Sequence, residues 1–333
     1  MNFYFKIKHY LFLYFKTEYH YFLKQEENEE LCQDYWIKGY KVNIESRKWS
    51  IENGIPLGLY NGKINAPLKY RVHISGLCEY CFALREVGQQ YKQEKVVDFL
   101  LKNLDTDKIN LGNDFLKFSF WKTYANNDLD QYYVHGMGQG QILSLLTRYA
   151  LKRETDEIEK TLIEVSNSYL IPFNHIHGFV NLKTDNNVIF EEYPKNVDRP
   201  HVLNGWIYSL LGLYDYIQYA SLKSIEDNQL NNKKRVFNDS VRTLHYMLEE
   251  YNLGFWSLYN LPKKNENICS IHYQEQHIVL LRAIGKLTSD KHFINYSNIF
   301  QKQYNNIFYR FLALFTKVFI SNLIKHKWIY KTN

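Results

Sequence analysis

The sequence predicts a mainly α-helical protein: an α/α toroid, or incomplete α/α barrel, with short β-hairpin inserts and a small N-terminal extended segment. Three observations lead there. First, four stretches repeat apolar residues at the i, i+3, i+4, i+7 spacing of a single helix face. They are Ile142, Leu145, Leu146 and Tyr149; Leu203, Ile207, Leu210, Leu211 and Tyr214; Phe237, Val241, Leu244 and Leu248; and Ile278, Leu281 and Ile284, thickened by Val279 and Leu280. Second, the connections between them are modest in length. Third, no parallel-sheet pattern of alternating strand and helix interrupts them. Helices joined this way form antiparallel hairpins, and enough hairpins curl into a toroid whose loops carry a site at one end. The chain has 333 residues, 45% hydrophobic and 23% charged, which suits a globular body rather than a disordered one.

In chain order, residues 1–34 form an N-terminal extension. Its aromatic-rich start is broken by Lys6, Lys8, His9, Lys16 and Glu18, and its longest uncharged run covers residues 10–15. That run is too short for a signal-peptide core or a bilayer span. The expected location is therefore the cytoplasm, peripheral to the inner face of the membrane. Glu26, Glu27, Glu29, Glu30 and Asp34 mark a solvated face or linker. Residues 35–74 form an extended, β-type segment punctuated by Gly39, Gly54, Pro56, Gly58, Gly62 and Pro67. The toroid body spans residues 75–305 and opens with a helix over 75–104. One insert pairs residues 179–182 with 188–193 about a Thr-Asp-Asn turn. A second pairs 254–259 with 268–273 about Pro262, Lys263 and Lys264. Residues 306–333 form an amphipathic tail, interrupted by Arg310, Lys317 and Lys325, which packs on the body or on an anionic membrane surface.

Composition narrows the function. A net charge of +6 with no block of five basic residues and no zinc-finger spacing speaks against nucleic acid. Aromatic residues reach 17%, with 29 Tyr; this suits a sugar-binding cleft as well as it suits compositional drift. Cys78 and Cys81 lie in a helical stretch without a second ligand pair, so they and Cys32 and Cys269 are expected to be core thiols in a reducing compartment, with no metal held.

Four segments place polar and aromatic groups beside helix starts. The first runs from Tyr132 through His135 to Gln141. Its glycines allow close approach of backbone to backbone or to ligand, and Gln139 and Gln141 are candidates to bind sugar hydroxyls. It lacks the Lys-Ser/Thr end of a phosphate loop. The second is Glu191-Glu192-Tyr193-Pro194 with Asn204 beyond it. Two adjacent carboxylates, if both are buried, raise the pKa of at least one. In a strand Glu191 and Tyr193 face one way and Glu192 the other, with Pro194 ending the strand. The third segment holds Trp256 and Tyr259. The fourth holds Ser270, His272, Tyr273, Glu275 and His277, with Tyr273 and His277 on one helix face. Strand pairing alone does not bring Tyr259 and Tyr273 together.

These segments resemble the C-terminal catalytic region of D-glucuronyl C5-epimerases. The resemblance rests on Gly136-Met-Gly-Gln-Gly-Gln-Ile-Leu-Ser-Leu-Leu-Thr-Arg148, Glu191-Glu192-Tyr193-Pro194, Val202-Leu-Asn-Gly-Trp-Ile-Tyr-Ser-Leu-Leu-Gly-Leu-Tyr-Asp215, and Tyr273 followed four residues on by His277. It covers residues 132–300. It implies an α/α toroid that epimerises glucuronate to iduronate in an anionic polysaccharide such as heparosan, without a redox cofactor. Carried over by motif, Glu192, Tyr193 and Tyr273 are the acid/base group and Tyr259 another site tyrosine. Asn204 and His277 also match family positions. Two positions depart from the pattern. Gln274 stands where a histidine usually follows the tyrosine, with His272 preceding it, and Pro262 stands where an arginine is usual, leaving Lys263 or Lys264 as replacement cations. A homodimer is compatible with this reading.

A uronate C5 proton lies α to a carboxylate. Its removal needs neutralisation of that carboxylate, a base on one face of the ring and an acid on the other. Glu192 with a tyrosine, or two tyrosines with one ionised, satisfies this; neutral tyrosine, with a reference pKa of about 10, is a poor base and a good acid. Three other readings compete. A polysaccharide lyase shares the abstraction step. A glycoside hydrolase needs two carboxylates across a bond, drawn from Glu191, Glu192, Asp215 and Glu275. A non-catalytic polysaccharide-binding protein needs no chemistry at all.

Overall fold

The structure is a computed structural model that describes residues 50–57, 68–86, 88–110, 115–125, 128–184, 187–195, 200–261 and 267–317. The N-terminal extension (1–34), Cys32, Pro262, Lys263, Lys264 and the end of the C-terminal tail lie outside the described residues.

Helices dominate, as the periodicity predicts. In chain order they are α1 (Leu68–Arg71), α2 (Ile74–Glu86), α3 (Gln90–Asn103), α4 (Gly136–Ala150), α5 (Asp156–Asn167), α6 (Leu203–Leu222), α7 (Leu230–Met247), α8 (Ile271–Leu287), α9 (Lys291–Asn305) and α10 (Ile307–Phe315). The helix expected over 75–104 is two helices, because Gly88 adopts φ +69° and turns the chain between α2 and α3. No described helix is long and apolar enough to cross a membrane.

Antiparallel two-stranded ribbons punctuate the helices: β1 (Ser50–Glu52) with β2 (Ile55–Leu57), β3 (Asp105–Asn110) with β4 (Phe115–Phe120), β5 (Thr123–Ala125) with β6 (Asp128–Tyr133), β7 (Val180–Thr184) with β8 (Asn187–Phe190), and β9 (Leu258–Asn260) with β10 (Asn267–Ile268). The β3–β4 and β5–β6 ribbons were not expected from the sequence. In β4 exposed and buried residues alternate only from Phe115 to Phe118, after which Ser119, Phe120 and Trp121 are all buried. The second insert is shorter than expected. Strand pairing stops at Ile268, and Ile271 to Tyr273 open α8 because the Ser270 hydroxyl caps it by accepting the Tyr273 N–H.

Helix α6 is the axis. Sixteen of its 20 residues are buried, so it is apolar nearly all round and packs against α4, α7 and α8. The α4–α6 crossing is set by glycine. A Cβ on Gly140 would lie 2.3 Å from the Tyr208 carbonyl oxygen, and one on Gly212 would lie 2.1 Å from the Gly140 carbonyl oxygen. The glycines of the first segment therefore bring backbone against backbone, one of the two uses open to them in the sequence. Arg148 of α4 closes the same interface from inside, pairing with Asp215, which also accepts from the Ser144 hydroxyl. Cys78, Cys81 and Cys269 are free and buried, and burial pushes the Cys78 and Cys81 thiols up.

Helix α10 buries Ala313 and Leu314 and leaves Phe308, Phe311 and Phe315 exposed. The described part of the tail thus shows its broader apolar face outward. A cleft of about 690 Å³ lies elsewhere, lined by Lys117, Asp156, Glu159, Glu164, Glu226 and Asp227 among others; it shares none of the segments singled out above.

Candidate active site

Strand β8 ends at Phe190, and Glu191 to Lys195 turn instead of continuing the strand. The strand therefore ends three residues earlier than Pro194 required. The turn is held from two sides: the Glu191 amide donates to the Phe179 carbonyl (3.0 Å), and the Gly136 amide at the head of α4 donates to the Glu191 carbonyl (2.9 Å). A Cβ on Gly136 would meet the Ser209 hydroxyl at 2.6 Å, so glycine is needed for that approach.

The two carboxylates, both buried, meet different fates. Glu191 points inward, where Oε1 accepts from Asn181 Nδ2 (2.7 Å) and pairs with His201 Nδ1 (2.7 Å). His201 sits at φ +46°, a left-handed conformation held by its ring's bond to Glu191 and by the Tyr251 hydroxyl on its carbonyl (2.6 Å). Glu192 instead lies against the first turn of α6, where a Cβ on Gly205 would meet its Oε2 at 2.5 Å. Its Oε2 has no hydrogen-bond partner among the described residues. Burial raises its pKa to about 7, while the Tyr193 and Tyr259 hydroxyls beside it pull the other way. The neighbouring carboxylate is not the cause of the shift, which corrects the reason expected from the sequence.

Tyrosines converge on Glu192. Tyr193 and Tyr259 are in hydrogen-bonding contact, and the Tyr259 and Tyr273 rings are 4.7 Å apart. Beyond them, Tyr133 lies 6.0 Å from Tyr193, and His272 lies 5.5 Å from Tyr273. Burial first and the Glu192 charge second hold the hydroxyls of Tyr193 and Tyr259 well above the ordinary tyrosine range. Tyr259 and Tyr273 meet because the chain turns into α8 at Ser270, so Tyr273 comes from the first helical turn and not from a strand. The signal for that cap in the sequence is Ser270 itself, a residue type favoured at helix starts.

The remaining expected site residues divide. Gln139 is not available to substrate. Its amide nitrogen donates to the Ser119 carbonyl and the Ser168 hydroxyl, and its oxygen accepts from the Trp121 amide, so it locks α4 to the ribbons. His277 is fully buried, its Nδ1 2.8 Å from the Ser257 hydroxyl; burial drops its pKa to about 3, so it is neutral. Gln274, at the departing position, accepts from the amide and hydroxyl of Ser257 and donates to the Phe300 carbonyl. It is a structural clasp between β9, α8 and α9. Gln141 has neither side-chain polar atom paired among the described residues, and Asn204 pairs only through Nδ2, with Gln276 at 3.3 Å. Lys263 falls outside the described residues. His135, which the sequence reading passed over, caps α4 by accepting the Gly138 amide and leaves Nε2 buried without a partner among the described residues.

Of the other carboxylates proposed for hydrolysis, Asp215 is tied to Arg148 and Glu275 accepts from the Tyr304 hydroxyl. Glu191 is tied through Oε1 to Asn181 and His201, while its Oε2, like that of Glu192, has no partner among the described residues; Glu192 is the acid of that set that lies against Tyr193 and Tyr259.

The family model of the D-glucuronyl C5-epimerase C-terminus matches residues 113–302, more than half of the chain. A curated relative, a D-glucuronyl C5-epimerase from Caenorhabditis elegans, is 31% identical over 164 residues, covering 46% of this chain and 26% of the relative. The chain thus matches about a quarter of that relative's length. The matched span holds the α4 glycines, the Glu192 turn, the Asn204 helix start and both distal tyrosines.

Proposed function

The chain belongs to the D-glucuronyl C5-epimerase C-terminus family, and from that premise we propose that it is an α/α toroid that inverts C5 of D-glucuronate to L-iduronate within an anionic, heparosan-like polysaccharide. The carrying observation is Glu192, a buried carboxyl at about pKa 7 with an unpaired oxygen, ringed by neutral tyrosines.

Glu192 takes the C5 proton, because a carboxylate titrating near neutrality is both ionised and basic enough to act. Tyr193 and Tyr259 lose support as the ionised member of a two-tyrosine pair, since both are held above the ordinary tyrosine range. The electron pair left on C5 spreads into the substrate carboxylate. A tyrosine on the opposite ring face, Tyr273 or Tyr193, delivers its hydroxyl proton to C5. The site then holds a protonated Glu192 and a tyrosinate, and exchange with solvent restores both. Charge building on the substrate carboxylate calls for a cation; Lys263 and Lys264 are our candidates. The Gln141 amide and the Asn204 side-chain oxygen are free to bind sugar hydroxyls.

Proton NMR of heparosan incubated with the protein in D₂O tests the reading. C5 deuterium with new iduronate signals supports it. Loss of the polymer's 4-O linkage with an unsaturated uronate points to a lyase, and binding without exchange points to a non-catalytic protein.

A further inference from the structure

Asp107, in the β3–β4 ribbon, meets His175 and His177, the latter 70 residues on in sequence. Their ligating atoms lie within 4.8 Å of one another. His177 Nδ1 is 2.7 Å from Asp107 Oδ2, and His175 Nε2 is 3.8 Å from the same oxygen. We propose that Asp107, His175 and His177 form a binding site for a divalent transition cation of the zinc type. A tetrahedral ion with bonds of about 2.0 Å separates its ligand atoms by about 3.3 Å, so the observed spacings bracket the required one. Two imidazoles and one carboxylate are donors such an ion prefers over calcium or magnesium.

The site is built before the ion arrives. His177 stacks on Phe120 (4.2 Å between ring centroids) and His175 packs edge-on to Phe118 (5.7 Å), both rings being fixed by β4. The loop bearing the histidines is tight. The Gly178 amide donates to the His175 carbonyl, and a Cβ on Gly178 would sit 1.8 Å from the Pro172 carbonyl oxygen. Lys195 Nζ donates to the His175 carbonyl at 2.8 Å, tying this loop to the Glu192 turn. Outside the ligand shell, the Tyr132 hydroxyl lies 2.9 Å from His177 Nε2. With an ion on Nδ1, that Nε2–H donates to the Tyr132 oxygen and fixes the tautomer. The proton formerly shared with Asp107 leaves to solvent.

Two features oppose binding. His175 Nδ1 accepts the His177 amide at 3.2 Å, a bond given up when His175 Nε2 ligates. Lys122, which pairs with Asp105 at 3.3 Å, lies over the Tyr132 ring at 4.6 Å and adds positive charge nearby.

The site also bears on the candidate active site through strand β6. Tyr132 touches His177, while its neighbour Tyr133 packs on Tyr193, as alternation along a strand dictates. An ion here would pin the ribbon that positions Tyr133.

The test uses the full chain stripped of metal and titrated with Zn²⁺ by calorimetry and with Co²⁺ by visible absorption. One saturable equivalent is expected, with Co²⁺ bands of four-coordinate intensity. Asp107→Asn and His175→Gln should each abolish binding while circular dichroism stays unchanged, and Zn²⁺ should raise the Tm of the parent chain and of neither variant. Absence of saturable binding, or binding that persists in both variants, overturns the assignment. The readout is independent of epimerase activity, so a failure here leaves the catalytic proposal standing.

Discussion

Glu191 and Glu192 are neighbours in sequence, both lie out of water, and the fold treats them oppositely. Glu191 receives Asn181 and His201 and becomes a fastening between β7, β8 and the start of α6. The Oε2 of each is unpaired among the described residues, but Glu192 has only the Tyr193 and Tyr259 hydroxyls as partners, lies against a glycine and carries a pKa near 7. Burial is therefore not what separates a structural carboxylate from a reactive one; the partners supplied to it are. A buried carboxylate facing an imidazole and an amide fastens its surroundings, and one facing only tyrosine hydroxyls has its pKa raised by burial.

Breaking the pair one member at a time sharpens the contrast. Glu192→Gln should lower C5 deuterium exchange by about 10³-fold, the scale of a lost general base. Stability should move the other way. The folded pKa of Glu192 is raised, so the wild-type protein loses stability as pH rises from about 4.5 to about 7, where ionisation begins to be forced on a buried group. Glu192→Gln escapes that loss, and thermal melts should show an advantage that is nil at pH 4.5 and grows to about 3 kcal/mol by pH 8.

Next in size, Tyr193→Phe and Tyr273→Phe should each cut iduronate formation by about 10²-fold, with the protein folded. The acid on the far face is the one whose loss spares exchange while blocking inversion. Full activity in both variants removes the tyrosines from the mechanism. Gly205→Ala should come third, at roughly 10-fold, because the new methyl displaces Glu192 Oε2 while the Glu191 contacts remain. Smallest in exchange rate is Glu191→Gln, within a few-fold per folded molecule. Its effect is on the fold: breaking the buried pair with His201 should lower denaturant stability by about 2–4 kcal/mol. The pH profile of wild-type exchange should rise through about 7 as Glu192 ionises.

Much of this was legible in the sequence. The helical periodicity located α4, α6, α7 and α8, and the Glu191-Glu192 pair between apolar runs announced buried carboxyls. The glycines of residues 136–140 announced a close approach, though not that the Tyr208 and Gly140 carbonyls would be what they approach. Which carboxylate does what was not legible. Strand parity splits Glu191 from Glu192 only if the strand continues, and the amide bonds to Phe179 and from Gly136 end it at Phe190. Gln139 has the side chain of a sugar ligand and the surroundings of a clasp, a difference made by Ser119, Trp121 and Ser168 far along the chain. The meeting of Tyr259 with Tyr273 needed a helix cap where a strand was expected. The Asp107 and histidine cluster joins residues 70 apart through ribbons whose alternation is too short to read.

The most direct test compares C5 deuterium exchange on heparosan for Glu192→Gln and Glu191→Gln side by side, at pH 8 and well below the melting temperature of either. The account predicts exchange abolished in the first, which melts higher than wild type, and retained in the second, which melts lower. Exchange surviving in Glu192→Gln, or lost in a folded Glu191→Gln, would contradict the division of labour proposed for the two carboxylates.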